Sequence, residues 1–150
     1  QYLHNAYPAV TAVALPSALL TNGTQSFAKF SITSVGAANS VVGFQQILLN
    51  VAKSTGPSIA SSGMQLFEDG VDVTSTGAFT TAQIGTSQTA GTVQFKFTAE
   101  RQSPVSGHVY EFKANITNTV ANDSIATSFK TPSANAVPNT AAVVNALDGR

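Results

Sequence analysis

Two runs of the chain alternate apolar and polar side chains with period two more cleanly than any others. In residues 92–100, Val93, Phe95, Phe97 and Ala99 fall on one face, and Thr92, Gln94, Lys96, Thr98 and Glu100 on the other. That is the pattern of a β-strand with one dry side. Residues 108–117 repeat it, with Tyr110, Phe112, Ala114 and Ile116 set against Glu111, Lys113 and Asn115. A polar turn with Pro104 and Gly107 lies between them, and two runs joined in this way are expected to form a β-hairpin. A hairpin alone is marginal in water, so its aromatic face requires a second layer.

The rest of the chain supplies further strands. Residues 25–35 alternate Ala28, Phe30 and Ile32 with Lys29, Ser31 and Thr33. In residues 41–53, Ile47, Leu49 and Val51 share one face and Phe44 and Leu48 the other; an amphipathic helix is the alternative, but the β-branched content favours a long central strand. A Ser/Gly/Pro loop covers 54–63, and a short strand at 64–67 reaches Asp69-Gly70, a hairpin signal before Val71 and Val73. Short strands are also expected at 79–84 and at 124–130, where Ile125, Thr127 and Phe129 are in step. Near the start, Pro8 and Pro16 bracket a strand at 9–15. Proline is confined to strand ends and edges, so this strand lies at a sheet edge or reaches out to another sheet.

Eight or so strands separated by turn signals predict an all-β protein, an antiparallel Ig-like or Greek-key β-sandwich, with a closed barrel as the alternative. At 150 residues the chain suits one core. It divides into an N-terminal extended segment, 1–20, a sandwich core, 21–130, and a C-terminal tail, 131–150. In the tail, residues 140–147 read as a terminal strand or a helical turn.

Composition changes the picture in one respect. Charged residues make up 9% of the chain, against roughly 25% in an ordinary soluble domain, and the first twenty residues contain no Asp, Glu, Lys or Arg. Net charge is zero, and a neutral polar surface offers little repulsion between copies. Self-assembly is one reading of this; a secreted or glycan-rich surface protein is the other. No basic cluster stands out, which argues against nucleic acid as a partner. Without cysteine there is no disulfide framework, thiolate metal site or thiol nucleophile. No apolar run approaches the about 18 residues of a membrane span. A chain running from Gln1 to Arg150 reads as a processed product or a piece of a longer polypeptide.

Candidate chemistry is sparse. His4 and His108 are far apart and have no carboxylate at ligand spacing in the chain, so no metal site is expected. Glu68, Asp69 and Asp72 are the only local group of acids, and turn formation explains them better than calcium, which needs six to eight oxygens. Glu100, Glu111, Asp123 and Asp148 are scattered, and there is neither a Gly-x-Ser-x-Gly elbow nor a phosphate-cradling glycine loop. The expectation is a protein that is not an enzyme and uses no cofactor. Sequons begin at Asn22, Asn115 and Asn122; Asn22 and Asn122, in turns, are the glycosylation candidates.

The segments Tyr7-Pro-x-Val-x-x-Val-Ala-Leu-Pro16, Ala28-Lys-Phe-Ser-Ile-Thr33, Leu66-Phe-Glu-Asp-Gly-Val71, Tyr110-Glu-Phe-Lys-Ala114 and Asp123-Ser-Ile-Ala-Thr127 resemble immunoglobulin-like β-sandwich modules of long secreted bacterial surface proteins. The resemblance runs over nearly the whole chain, rests on structural motifs and implies no catalytic residues. By architecture the chain is also similar to pilins that polymerise by donor-strand complementation, in which an uncharged strand of one subunit completes the next. These resemblances imply a structural subunit of an extracellular filament, pilus or surface layer that partners copies of itself. Ala9, Val10, Val13 and Leu15 are the subunit-interface candidates. The alternative is an adhesin or carbohydrate-binding module of a longer cell-surface protein, with a cell-surface glycan as partner. That class usually shows aromatic platforms, and this chain has no Trp and three Tyr.

Overall fold

The alternating runs become strands throughout the residues that the computed structural model describes, 6–129. In chain order these are β1 (Ala6–Ala12), β2 (Gly23–Gly36), β3 (Val41–Lys53), β4 (Ser58–Ile59), β5 (Gln65–Glu68), β6 (Val71–Asp72), β7 (Gly77–Ala82), β8 (Ala90–Pro104), β9 (His108–Thr117) and β10 (Ile125–Phe129); the one helical element described is a 3-10 turn, Thr74–Thr76. One sheet runs β1-β2-β9-β5-β6, with β4 also on β9, and the other runs β10-β3-β8-β7. Every pairing is antiparallel. The two sheets form a β-sandwich with open edges, not a closed barrel. The expectations for His4, Lys130, the tail 131–150 and its segment 140–147 lie outside the described residues.

The expected hairpin of residues 92–117 does not form. β8 lies between β3 and β7 in one sheet, and β9 between β2 and β5 in the other. The turn between them, closed by Gly107 N donating to Pro104 O at 2.9 Å, carries the chain across the core. Alternation shows which side of a strand is dry, but not whether two dry sides share a sheet or face each other. Facing each other buries both at once, and the rings meet edge to face: Phe97 on Tyr110 at 6.5 Å, and Phe44 on Tyr110 at 5.7 Å. Gly107 suits this crossing, since its φ is 75° and a Cβ there would meet the Thr33 side chain and Ile32 O.

β3 is the expected central strand, flanked by β8 and β10. Ile47, Leu49 and Val51 are buried, but so is Phe44. A register shift against β8 between Phe44 and Gln46 turns Phe44 onto the core side. A similar shift between Ser26 and Ala28 lets Phe27 and Ala28 both enter the core. β5 and β6 pair through Glu68 and Val71, with Asp69 at φ 50° and Gly70 at φ 85°. This is the two-residue turn that Asp-Gly favours. β4 was not anticipated, because its two residues sit inside an apparent Ser/Gly/Pro loop. Phe30, Phe95, Phe112 and Leu66 are among the residues at the centre of the core, and each such side chain contributes about 1.5–3 kcal/mol by leaving water.

Candidate functional site

Two places bear on function: the edge strand β1, and a polar cluster where the layers meet. Along β1, Val13 N donates to Lys29 O at 3.0 Å. Alternation through the register Ala6↔Gly36 to Ala12↔Phe30 then turns the backbone of Tyr7, Ala9 and Thr11 toward β2 and that of Ala6, Pro8, Val10 and Ala12 outward. Pro8 thus falls where a missing N–H costs no ladder bond. The strand begins three residues before the expected 9–15 and ends at Ala12. Of the interface candidates, Ala9 and Val10 lie in β1, whereas Val13 and Leu15 follow it. Val10 pairs with the fully buried Ile32 and so faces the core side, yet it remains 37% exposed. β1 therefore lies along the rim of the core rather than plugging it. Tyr7, 61% exposed, pairs with Val35, itself partly exposed.

Both glycosylation candidates are exposed. Asn22 Oδ1 accepts hydrogen bonds from Thr119 N at 2.9 Å and Thr119 Oγ1 at 3.0 Å, while Asn122 occupies a turn position at φ 71°. Asn115 is also exposed, on the outer side of β9.

The polar cluster joins residues far apart in sequence. Glu68 ends β5 opposite Tyr110 of β9, Asp69 follows in the turn, His108 opens β9, and Arg101 comes from β8 in the other sheet. Arg101 donates two hydrogen bonds to Glu68 Oε2, from Nε at 3.0 Å and from Nη2, and its guanidinium lies 5.5 Å from the Phe97 ring centre. The ion pair therefore bridges the layers above aromatic core. Asp69 Oδ1 accepts from Val109 N at 2.8 Å, and His108 Nδ1–H donates to Asp69 Oδ2 at 2.6 Å. Burial works against the charge on Asp69, but the Val109 N–H, the His108 hydrogen bond and the His108 charge outweigh it, holding the carboxyl below its usual range.

Tyr110 sits beneath this network. Its side chain is fully buried and its hydroxyl has no hydrogen-bond partner among the described residues. Arg101 comes near enough to ease ionisation of the phenol, but burial first and the Glu68 charge second push its pKa well up; the Arg101 contact falls outside hydrogen-bond geometry.

Linear spacing did not bring His108 to a carboxylate; the fold does, with Glu68, Asp69 and His108 each offering a ligand atom within 4.8 Å of the others. The signal in the sequence was polar: Glu68 and Arg101 are charged residues at inward-facing positions of strands whose buried face is mostly apolar. Asp72 stays apart, its Oδ1 accepting from Thr74 N at 2.9 Å to start the 3-10 turn. No protein-family model matches this chain, and no curated protein matches it in sequence.

Proposed function

We propose that the chain is a structural subunit of an extracellular filament, pilus or surface layer, and that copies join by exchanging β1. The observation that carries this reading is the state of β1 itself: an uncharged edge strand, half-buried at most, joined to β2 by ten residues, 13–22, that form no strand. Its ladder with residues 30–36 of β2 has the same chemistry whether β1 comes from its own chain or from a neighbour. A ten-residue connection spans up to about 33 Å when extended, enough to deliver β1 to an adjacent copy. The scarcity of charge and the resemblance to surface-protein sandwich modules support the same reading.

Two chains test it by electron microscopy. A chain lacking residues 1–15 should stay unpolymerised, and filaments formed without that segment would rule out the exchange. Ala6→Cys with Gly36→Cys joins directly opposed residues that share no ladder bond, where Cα atoms lie about 4.5 Å apart, within disulfide reach. With no native cysteine to compete, the oxidised lock should block assembly and a reductant should restore it. Filaments grown from fully oxidised protein would refute exchange of β1.

A further inference from the structure

Each carboxylate of the interlayer cluster has one oxygen held in place and the other turned toward the same imidazole. Arg101 holds Glu68 Oε2, and the Val109 N–H holds Asp69 Oδ1 at 2.8 Å. The second oxygens face His108 Nδ1, which is hydrogen-bonded to Asp69 Oδ2 at 2.6 Å and lies 3.9 Å from Glu68 Oε1. We propose that Glu68 Oε1, Asp69 Oδ2 and His108 Nδ1 form a binding site for a divalent zinc ion. Zinc in a tetrahedral site, with bonds of about 2.0–2.1 Å, holds its ligand atoms roughly 3.3 Å apart. The two separations from His108 Nδ1 bracket that value and all three atoms lie within 4.8 Å of one another, so the Asp69–His108 pair opens and Glu68 closes on the ion. The bound ion takes the place of the proton between His108 and Asp69, which leaves on binding.

The chemistry of the donors selects the ion. A mixed set of one imidazole and two carboxylates suits zinc, whereas calcium and magnesium favour all-oxygen shells. Arg101 opposes any cation by its charge, but its hydrogen bonds lie on the far oxygen of Glu68, the outer-shell arrangement that fixes a ligand's orientation. Access is open, since the Asp69 side chain is 50% exposed and that of His108 29%.

A second, independent feature points the same way. The Tyr110 hydroxyl is fully buried and without a partner among the described residues, on the residue directly opposite Glu68. Buried hydroxyls find a partner in nearly every protein, so one left without a partner on the neighbour of a ligand residue sets this end of the sandwich apart. The three protein ligands with one water would match an open, three-ligand zinc site.

The test is calorimetric titration of the tag-free full chain with zinc chloride, with calcium chloride as control. One zinc per chain should bind saturably, with no calcium binding at the same concentrations. Asp69→Asn and His108→Gln should each weaken zinc binding at least about 10-fold. Circular dichroism establishes that each variant is folded; both ligand changes are at partly exposed positions, so either one suffices if the other fails to fold. Cobalt-substituted protein should show the visible absorption of a four-coordinate ion. Absence of saturable one-to-one zinc binding to the wild-type chain overturns the site, as does equal affinity in the wild type and a folded ligand variant.

Discussion

Replacing Tyr110 with phenylalanine should make the metal-free protein more stable, the reverse of the usual effect of a core substitution. The hydroxyl of Tyr110 is buried with no partner among the described residues, so folding strips it of water and returns no bond, a cost of about 1–3 kcal/mol. Tyr110→Phe removes that group and keeps the ring, which packs on Phe30, Phe44 and Phe97. A vacated space of roughly 10–15 Å³, about that of one water-sized probe, costs at about 24 cal/mol per Å³ only ~0.2–0.4 kcal/mol. The net gain is about 0.6–2.8 kcal/mol, or a rise in Tm of roughly 1–11 °C at about 2–4 °C per kcal/mol for a domain of this size. Urea unfolding near pH 7 with a chelator present, followed by circular dichroism, measures it directly. The phenol's pKa is raised, so it is neutral there and ionisation does not enter. A variant less stable than wild type by about 1 kcal/mol or more would refute the reasoning, because the hydroxyl would then have to be making a bond that stabilises the fold.

Gly107→Val should cost about 2 kcal/mol or more in urea unfolding, since a β-branched residue is strained at φ 75° and its Cβ strikes Thr33 and Ile32 O; an unchanged midpoint would mean the turn between the layers relaxes freely. Arg101→Leu should destabilise by about 1–2 kcal/mol, between the small worth of exposed pairs and the larger cost of orphaning a buried charge, because the Glu68 side chain is only 15% exposed; a matched Glu68→Gln change in the same background should recover part of the loss. Asp69 gives a pH dependence: its carboxyl is lowered in the folded state, so its contribution is present above the unfolded value, about 3.9, and is lost as pH falls through the lower folded value. Urea midpoints between pH 6 and pH 2.5 should therefore fall less steeply for Asp69→Asn than for wild type.

Period two identified most strands because a sheet with one dry face writes itself into alternate residues. β9 is the plainest case, with the expected bounds and the expected inward residues Tyr110, Phe112, Ala114 and Ile116. The pattern was weaker wherever a backbone irregularity changes its phase. Alternation sets Phe44 opposite Ile47, yet it is buried with it, because between Phe44 and Gln46 one residue of β3 faces four of β8, an irregularity with no sequence signature. Partner choice was not legible either: β8 and β9 offer equally dry faces, and only the assembled core decides that they oppose each other across it. For the same reason the cluster of Glu68, Asp69, Arg101 and His108 was hidden, since its members come from three segments brought together by that crossing. β1 was legible through its prolines, which marked an edge strand, although the outward placement of Pro8 extended it toward the N-terminus.

Exchange of β1 between copies has to overcome the advantage of pairing at home. A short flexible connection holds a strand at an effective concentration on the order of millimolar. For subunits at micromolar concentration the home pairing is favoured by roughly 10³, about 4 kcal/mol. A neighbouring copy wins only if joining buries something that the lone chain leaves in water. At about 25 cal/mol per Å², 4 kcal/mol corresponds to roughly 160 Å² of apolar surface, and a single aromatic side chain can bury 150–250 Å². Tyr7, on β1 itself, is 61% exposed, and its cross-strand neighbour Val35 is also exposed. An edge carrying little charge adds no repulsion to oppose the joining. Tyr7→Ser should therefore leave the sandwich folded, with an unchanged urea midpoint to within about 0.5 kcal/mol as for other surface changes, while raising the concentration needed for filaments at least about 10-fold. Assembly at the wild-type threshold would mean that the energy for exchange comes from elsewhere on the subunit.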